Sequence, residues 1–208
     1  MRNCNVCVGL FSLIACAGAA NAGIVQGTEL AQYTSVTNQL GISHGVIFNS
    51  TAGFVTFGVN GFNTVGIYGT DPTANPNANY AWYSSPIEIT FVDMSDGFSP
   101  AVVNGTINAV FGDGGGDTDG IRVRAYDINN NLIGTQTALT VGFGPISITG
   151  VGIRRIVFDQ SGLGSPTSDT FLDWVDFPAP TPLPAPGAAI LGGLAIAFGA
   201  RRKQRTTP

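Results

Sequence analysis

"IEITFVD", residues 87–93, decides the fold. Ile87, Ile89 and Phe91 fall on one side of an extended chain, and Glu88 and Thr90 fall on the other. A period of two belongs to a half-buried β-strand, because a helix would scatter those side chains around its axis. The pattern recurs downstream. "GTINAVFG" (105–112) places Ile107, Ala109 and Phe111 on one face. "GIRVRAYD" (120–127) buries Ile121, Val123 and Ala125 and turns Arg122, Arg124 and Tyr126 outward. "DINNNLIGT" (127–135) reads as a hairpin turn, since Asn tolerates the left-handed backbone at small cost. "GVIFN" (45–49), "GFVTFGV" (53–59), "IRRIVFD" (153–159) and "FLDWVDF" (171–177) supply further strands. Roughly eight to ten strands at even spacing, without an amphipathic helix, predict an all-β domain: a single antiparallel β-sandwich, jelly-roll-like.

Composition agrees. Only 11% of the 208 residues are charged, while Gly reaches 29 and Phe 13. Glutamate occurs only as Glu29 and Glu88, and Lys203 is the sole lysine. Such a chain is poor in helix formers and rich in turn formers. The net charge of −4 conceals a segregation. All 13 acidic residues lie between Glu29 and Asp176, where the only basic residues are Arg122, Arg124, Arg154 and Arg155. That acidic middle repels phosphates and argues against a nucleic-acid partner.

The N-terminus "MRNCNVCVGLFSLIACAGAANAG" has the layout of a signal peptide over residues 1–22. Arg2 opens it, an apolar run extends from Val8 to Ala20, and Ala20-Asn21-Ala22 forms a small-x-small cleavage site. A rival reading takes Leu13-Ile14-Ala15-Cys16 as a lipobox with Cys16 lipidated. All three cysteines (Cys4, Cys7, Cys16) lie in this segment, so the mature domain is expected to have no disulfide. Its stability then rests on core burial, with or without a metal.

The domain spans residues 23–177 and offers few chemical signals. In "GDGGGDTDG" (112–120), Asp113, Asp117 and Asp119 cluster on a Gly-rich loop. Carboxylates on such a frame suit Ca²⁺, although Gly115 stands at a ligand position of the EF-hand pattern and no Glu closes the loop. The same residues also make an ordinary solvated connection. "TFLDWVDF" (170–177) is similar to the closing strand of carbohydrate-binding jelly-roll modules. That likeness implies a structural calcium at Asp173; the alternative places Trp174 in the core and Asp173 at the rim. "GTDPTANPNANYAWYSSP" (69–86) reads as a long loop carrying Tyr80, Trp82 and Tyr83. Those rings could stack on a sugar or pack the loop against the sandwich. His44 is the only histidine, which leaves no second ring for a His-based metal site and no nucleophile-elbow motif beside it. A binding or structural protein is therefore expected rather than an enzyme, with a secreted carbohydrate-active enzyme as the alternative.

Beyond Phe177, "PAPTPLPAP" (178–186) has the composition of a stiff, extended spacer, with a linker over 178–183 holding the domain away from the C-terminal segment. Gly187 to Ala200 is an uncharged, mainly apolar run of 14 residues. At ~1.5 Å per residue a helix of that length spans about 21 Å, short of the roughly 30 Å hydrocarbon core. Arg201, Arg202, Lys203 and Arg205 come next as a stop-transfer cluster. A short span with a charged flank suits a transient sorting signal better than a permanent anchor.

Pro184-Ala185-Pro186 and Gly187, then the apolar run, then the basic end resemble the C-terminal signal of bacterial PEP-CTERM proteins over residues 184–208. Ala185 stands where that family usually has Glu. The resemblance implies a short transmembrane helix over 187–200 and processing by an exosortase in a Gram-negative-type bacterium. It also implies transient inner-membrane residence, then the envelope surface or extracellular matrix, with exopolysaccharide as a partner in biofilm. "LPAPG" (183–187) is also similar to the sortase signal of Gram-positive bacteria, but Pro186 replaces the threonine at the scissile bond.

Overall fold

The structure, a computed structural model, describes residues 23–31, 34–50, 54–59, 65–70, 84–112, 118–164 and 171–184. Fourteen strands and one helical turn occur among them. In chain order they are β1 (Gly23–Gln26), β2 (Thr34–Val36), α1 (Gly41–His44), β3 (Val46–Ser50), β4 (Phe54–Val59), β5 (Val65–Thr70) and β6 (Ser84–Ser85). Next come β7 (Ile87–Phe91), β8 (Ala101–Gly112), β9 (Thr118–Tyr126), β10 (Leu132–Val141), β11 (Phe143–Ile153), β12 (Arg155–Gly164), β13 (Phe171–Phe177) and β14 (Thr181–Pro182).

Two sheets form from them, and every pairing is antiparallel. The first runs β11-β8-β13-β5-β4-β2, with β1 on β13, β14 on β8 and β6 on β5. The second runs β10-β9-β12-β7-β3. From β10 to β13 the chain changes sheet at each strand, so β11, β12 and β13 lie beside strands distant in sequence, whereas β9–β10 and β4–β5 pair as consecutive strands. The fold is an all-β sandwich.

Alternation sorts the side chains as the sequence predicts. Ile87, Ile89 and Phe91 are buried, as are Ile107, Ala109 and Phe111, and Ile121, Val123 and Ala125. The core is closed by aromatic pairs that cross between sheets. Phe48 meets Phe57 edge-on at 6.2 Å, Phe91 meets Phe177 at 5.1 Å, and Phe111 meets Phe158 at 5.6 Å. Each pair joins one ring from either layer, and tilted or edge-on rings gain from quadrupole attraction as well as burial. The β9–β10 hairpin also forms where expected. Asn130 takes the left-handed backbone at φ 62°, and Asp127 Oδ1 accepts from the Asn129 and Asn131 amides at 2.8 Å each.

Three differences have physical causes. Of the strands not named from the sequence, β1, β2, β6 and β14 have four residues or fewer, too short for any period to register. β5 and β11 have their alternation broken by Gly66 and Gly69 and by Gly144, Pro145, Gly150 and Gly152. The segment expected as a loop over 69–86 is entered and left in strand, with Gly69 opposite Ser85 and Thr70 opposite Ser84. The expected spacer over 178–183 does not stand away from the domain. Thr181 and Pro182 pair with Val102 and Ala101, the Leu183 amide donates to the Pro100 carbonyl at 3.0 Å, and Pro180 is buried. β14 thus continues β13 along the same edge of β8. The interruption falls at Pro178-Ala179-Pro180, because proline brings no N–H to a ladder.

Candidate functional site

The outer face of the second sheet carries a charged array built by strand register. Alternation turns Arg122, Arg124 and Tyr126 of β9 outward. On β12, Asp159 lies opposite Arg122, Val157 opposite Arg124, and Arg155 opposite Tyr126. On β7, Glu88 lies opposite Val157 and Thr90 opposite Arg155.

Chemistry follows from that grid. Arg122 grips Asp159 with two parallel bonds, Nε to Oδ1 at 2.7 Å and Nη2 to Oδ2 at 2.9 Å. Arg124, one step along the strand, donates Nη2 diagonally to the same Oδ2. The hydrogen bond to Asp159 holds the Arg122 guanidinium above its ordinary pKa, so it is always charged. Arg155 donates Nη1 to Glu88 Oε2 at 2.6 Å and lies 4.2 Å over the centre of the Tyr126 ring. Val157, in register between Arg124 and Glu88, is only 5% exposed, because long charged side chains cover apolar surface with their stems.

Counted by sign, three arginines meet two carboxylates. Asp159 is shared by two guanidinia, and Arg124 Nε is buried with no hydrogen-bond partner among the described residues. The face therefore carries one positive charge in excess on a domain that is otherwise strongly acidic. The fourth arginine, Arg154, is spent elsewhere. Its Nη1 reaches the Ala101 carbonyl at 3.4 Å, and burial pushes its pKa down from the ordinary value. Outward arginines are legible in "GIRVRAYD"; their shared carboxylate is not, because Asp159 is 37 residues from Arg122.

The residues singled out by sequence fare differently. Ala20, Ala22, Tyr80, Trp82, Tyr83, Asp113, Asp117, Ala185, Pro186, Gly187, Arg201, Arg202, Lys203 and Arg205 lie outside the described residues. So do the segments 1–22 and 187–200; among the described residues no helix is long and apolar enough to cross a membrane. Pro184 is the last described residue, directly after the stretch held on β8. Asp119 lies in β9, with its side chain outside the described set. Among the described residues no three His, Cys, Asp or Glu side chains gather as metal ligands.

Asp173 does occupy a special position. The β13–β8 register shifts between Leu172 and Trp174, so Asp173 is the bulged residue, and its carbonyl accepts from the Gly27 amide at 3.1 Å. The bulge also turns Trp174 to an intermediate position, while Val175 takes the buried one. Burial pushes the Asp173 carboxyl above its ordinary pKa, with no partner among the described residues to offset it.

That shift makes stability depend on pH. A raised folded-state pKa means that the native domain binds the proton more readily than the unfolded chain. Asp173 therefore costs nothing below the unfolded value near 3.8, and its penalty grows as pH rises through that value to the raised one. Asp173→Asn should raise the melting temperature near neutral pH and make no difference in acid. Asp96 and Asp127 act oppositely, their pKa values lowered by bonds from the Ser99 hydroxyl and the Asn131 side chain, so their contribution fades in acid. A gain equal at all pH values in thermal melts would show that Asp173 acts by packing instead.

His44 sits at the end of α1. Ser43 Oγ is 2.8 Å from its Nδ1, and Glu29 Oε1 is 3.8 Å from its Nε2. The first contact joins adjacent residues and the second exceeds hydrogen-bond length.

No protein-family model and no curated protein matches the chain. Two solved structures are similar to it in part. A DUF4465 family protein from Bacteroides caccae shares 11% identity at a TM-score of 0.37, covering 82% of this chain and 97% of that one. An isomalto-dextranase of Arthrobacter globiformis, complexed with panose, shares 14% at a TM-score of 0.32, covering 64% of this chain. The chain spans only 23% of that enzyme. At these scores neither likeness carries an argument about activity.

Proposed function

We propose that this is an exported envelope or matrix protein, sorted through residues 184–208 by an exosortase, whose domain binds an acidic exopolysaccharide without catalysis. The binding surface is the outer face of the second sheet. The observation that carries this reading is the arginine array. Three of the four arginines in the acidic middle of the chain converge on one sheet face, two of them sharing a single carboxylate. Guanidinium forks suit planar carboxylates, and Tyr126 beside Arg155 adds an aromatic surface. Carboxylates farther than about 8 Å away are largely screened at physiological salt, so the local sign of this face decides what it attracts. The order β5-β13-β8-β11 facing β7-β12-β9-β10 supports the jelly-roll form of the sandwich. The order of proline motif, apolar run and basic end supports the sorting class.

Retention on immobilised polygalacturonate, a polymer of sugar carboxylates, tests the binding. The protein should be retained at low salt and released as salt rises, and Arg124→Ala with Arg155→Ala together should abolish retention. Neutral dextran should hold neither form. Equal retention of the double variant would overturn the arginine face. Intact mass of protein from the native envelope tests the sorting. The expected chain starts near Gly23 and ends near Pro184 to Gly187, whereas recovery of the "RRKQRTTP" end would refute processing.

A further inference from the structure

Among the described residues, the sandwich protects all its sheet edges but one. An exposed edge strand offers a row of unpaired N–H and C=O groups, and proteins blunt such edges with short strands, proline, bulges, charges or covering segments. In the first sheet, β2 has three residues, and β1, β6 and β14 have four or fewer. The long edge β11 carries Pro145 and a register shift between Gly150 and Ile153. In the second sheet, β3 is covered by the preceding segment. The Val46 amide donates to the Leu40 carbonyl at 3.5 Å, and the Phe48 amide to the Thr37 carbonyl at 2.8 Å.

Over most of its length β10 has no proline, charge or bulge, and β11 packs against its inner face, Ile148 beside Gly134 and Ile133 beside Gly150, without bonding to its ladder. β10 is ten residues long, "LIGTQTALTV". After an irregularity between Leu132 and Gly134 it pairs in unbroken register with β9 from Gly134 to Val141. Among the described residues its other edge takes no backbone hydrogen bond. Thr135, Gln136 and Thr137 are exposed in succession, so both faces of the strand are open to water there. Leu139 is 60% exposed and Val141 63%.

We propose that β10 pairs antiparallel with β10 of a second copy of this chain, about a two-fold axis beside Gln136, joining two five-stranded sheets into one of ten. Gly134 to Ala138 reads the same in both directions by size and polarity: small, Thr, Gln, Thr, small. An axis beside Gln136 sets Thr135 opposite the partner's Thr137 and Gly134 opposite the partner's Ala138. Paired threonines are favourable across antiparallel strands. Charge points to the same occupant. Two copies of an acidic domain repel each other over most of their surfaces, and an uncharged strand is where they can approach. A symmetric contact must suit itself, which this stretch does.

Sedimentation of the full chain over a range of concentrations tests the pairing, with Gln136→Lys and Gln136→Glu as probes. Gln136 is exposed, so either charge should leave the melting temperature unchanged while setting like charges face to face. The wild-type average mass should approach twice that of the monomer as concentration rises. Each variant alone should stay monomeric, and an equimolar mixture of the two should regain the doubled mass. A wild-type chain that stays monomeric throughout overturns the proposal. So do variants that dimerise as the wild type does, or a mixture that fails to regain the doubled mass.

Discussion

Phe111→Ala is expected to remove about 3–5 kcal/mol of stability, the usual cost of truncating a buried phenylalanine. Phe111 is 1% exposed and meets Phe158, equally buried, across the two layers at 5.6 Å. One ring belongs to β8 and the other to β12, so the truncation opens a cavity between the sheets that neither can collapse into alone. The fold has no cysteine outside residues 4–16 to staple it. Against a typical total of roughly 5–15 kcal/mol, such a loss is a large fraction. At about 2–4 °C per kcal/mol for a domain of this size, the melting temperature should fall by roughly 6–20 °C. Phe111→Leu, which keeps most of the volume, should cost less than about 1.5 kcal/mol. Equal losses for the two variants in denaturant melts would show instead that the aromatic ring itself, and not its apolar volume, carries the effect.

Asp159→Ala is expected to give the second largest loss. The Asp159 side chain is 10% exposed and satisfies Arg122 and Arg124 together. Its removal strands two positive charges on adjacent outward positions of β9. Breaking a fully buried pair costs about 3–5 kcal/mol, but both guanidinia are 31% exposed and water recovers part of that, leaving about 1–3 kcal/mol. Replacing Arg122 and Arg124 as well should restore most of the loss, since the cost lies in unpaired charge rather than in the missing contact. Rising salt should shrink the deficit of the single variant. A triple variant as unstable as the single one would instead mean that the carboxylate stabilises the strands by some other route.

Legibility in the sequence tracks the range of the interaction that sets each feature. Strand faces at Ile87–Phe91 and Ile121–Ala125 are readable because inward and outward positions differ by one residue. The hairpin at Asp127–Asn131 is legible because its bonds close within five residues. The bulge at Asp173 is hidden, since it exists only relative to β8. It displaces Trp174 from the core position that its sequence neighbourhood suggests. The expectation of a free spacer fails for the same reason. Its prolines do favour an extended chain, but only β8 reveals that an extended chain at Thr181–Pro182 has a partner.

By itself, then, the sequence determined the class of fold, the inward residues of β7, β8 and β9, and the charge segregation that sets the two ends apart from an acidic middle. Each depends on composition or on neighbours within a few positions. Only the tertiary structure decided which strands share a sheet, that Arg122 and Arg124 answer to one carboxylate, and that the outer edge of β10 takes no backbone bond among the described residues. Those arise from pairings between segments tens of residues apart, and a chain read in one dimension holds the alternation of each strand but not the register between them.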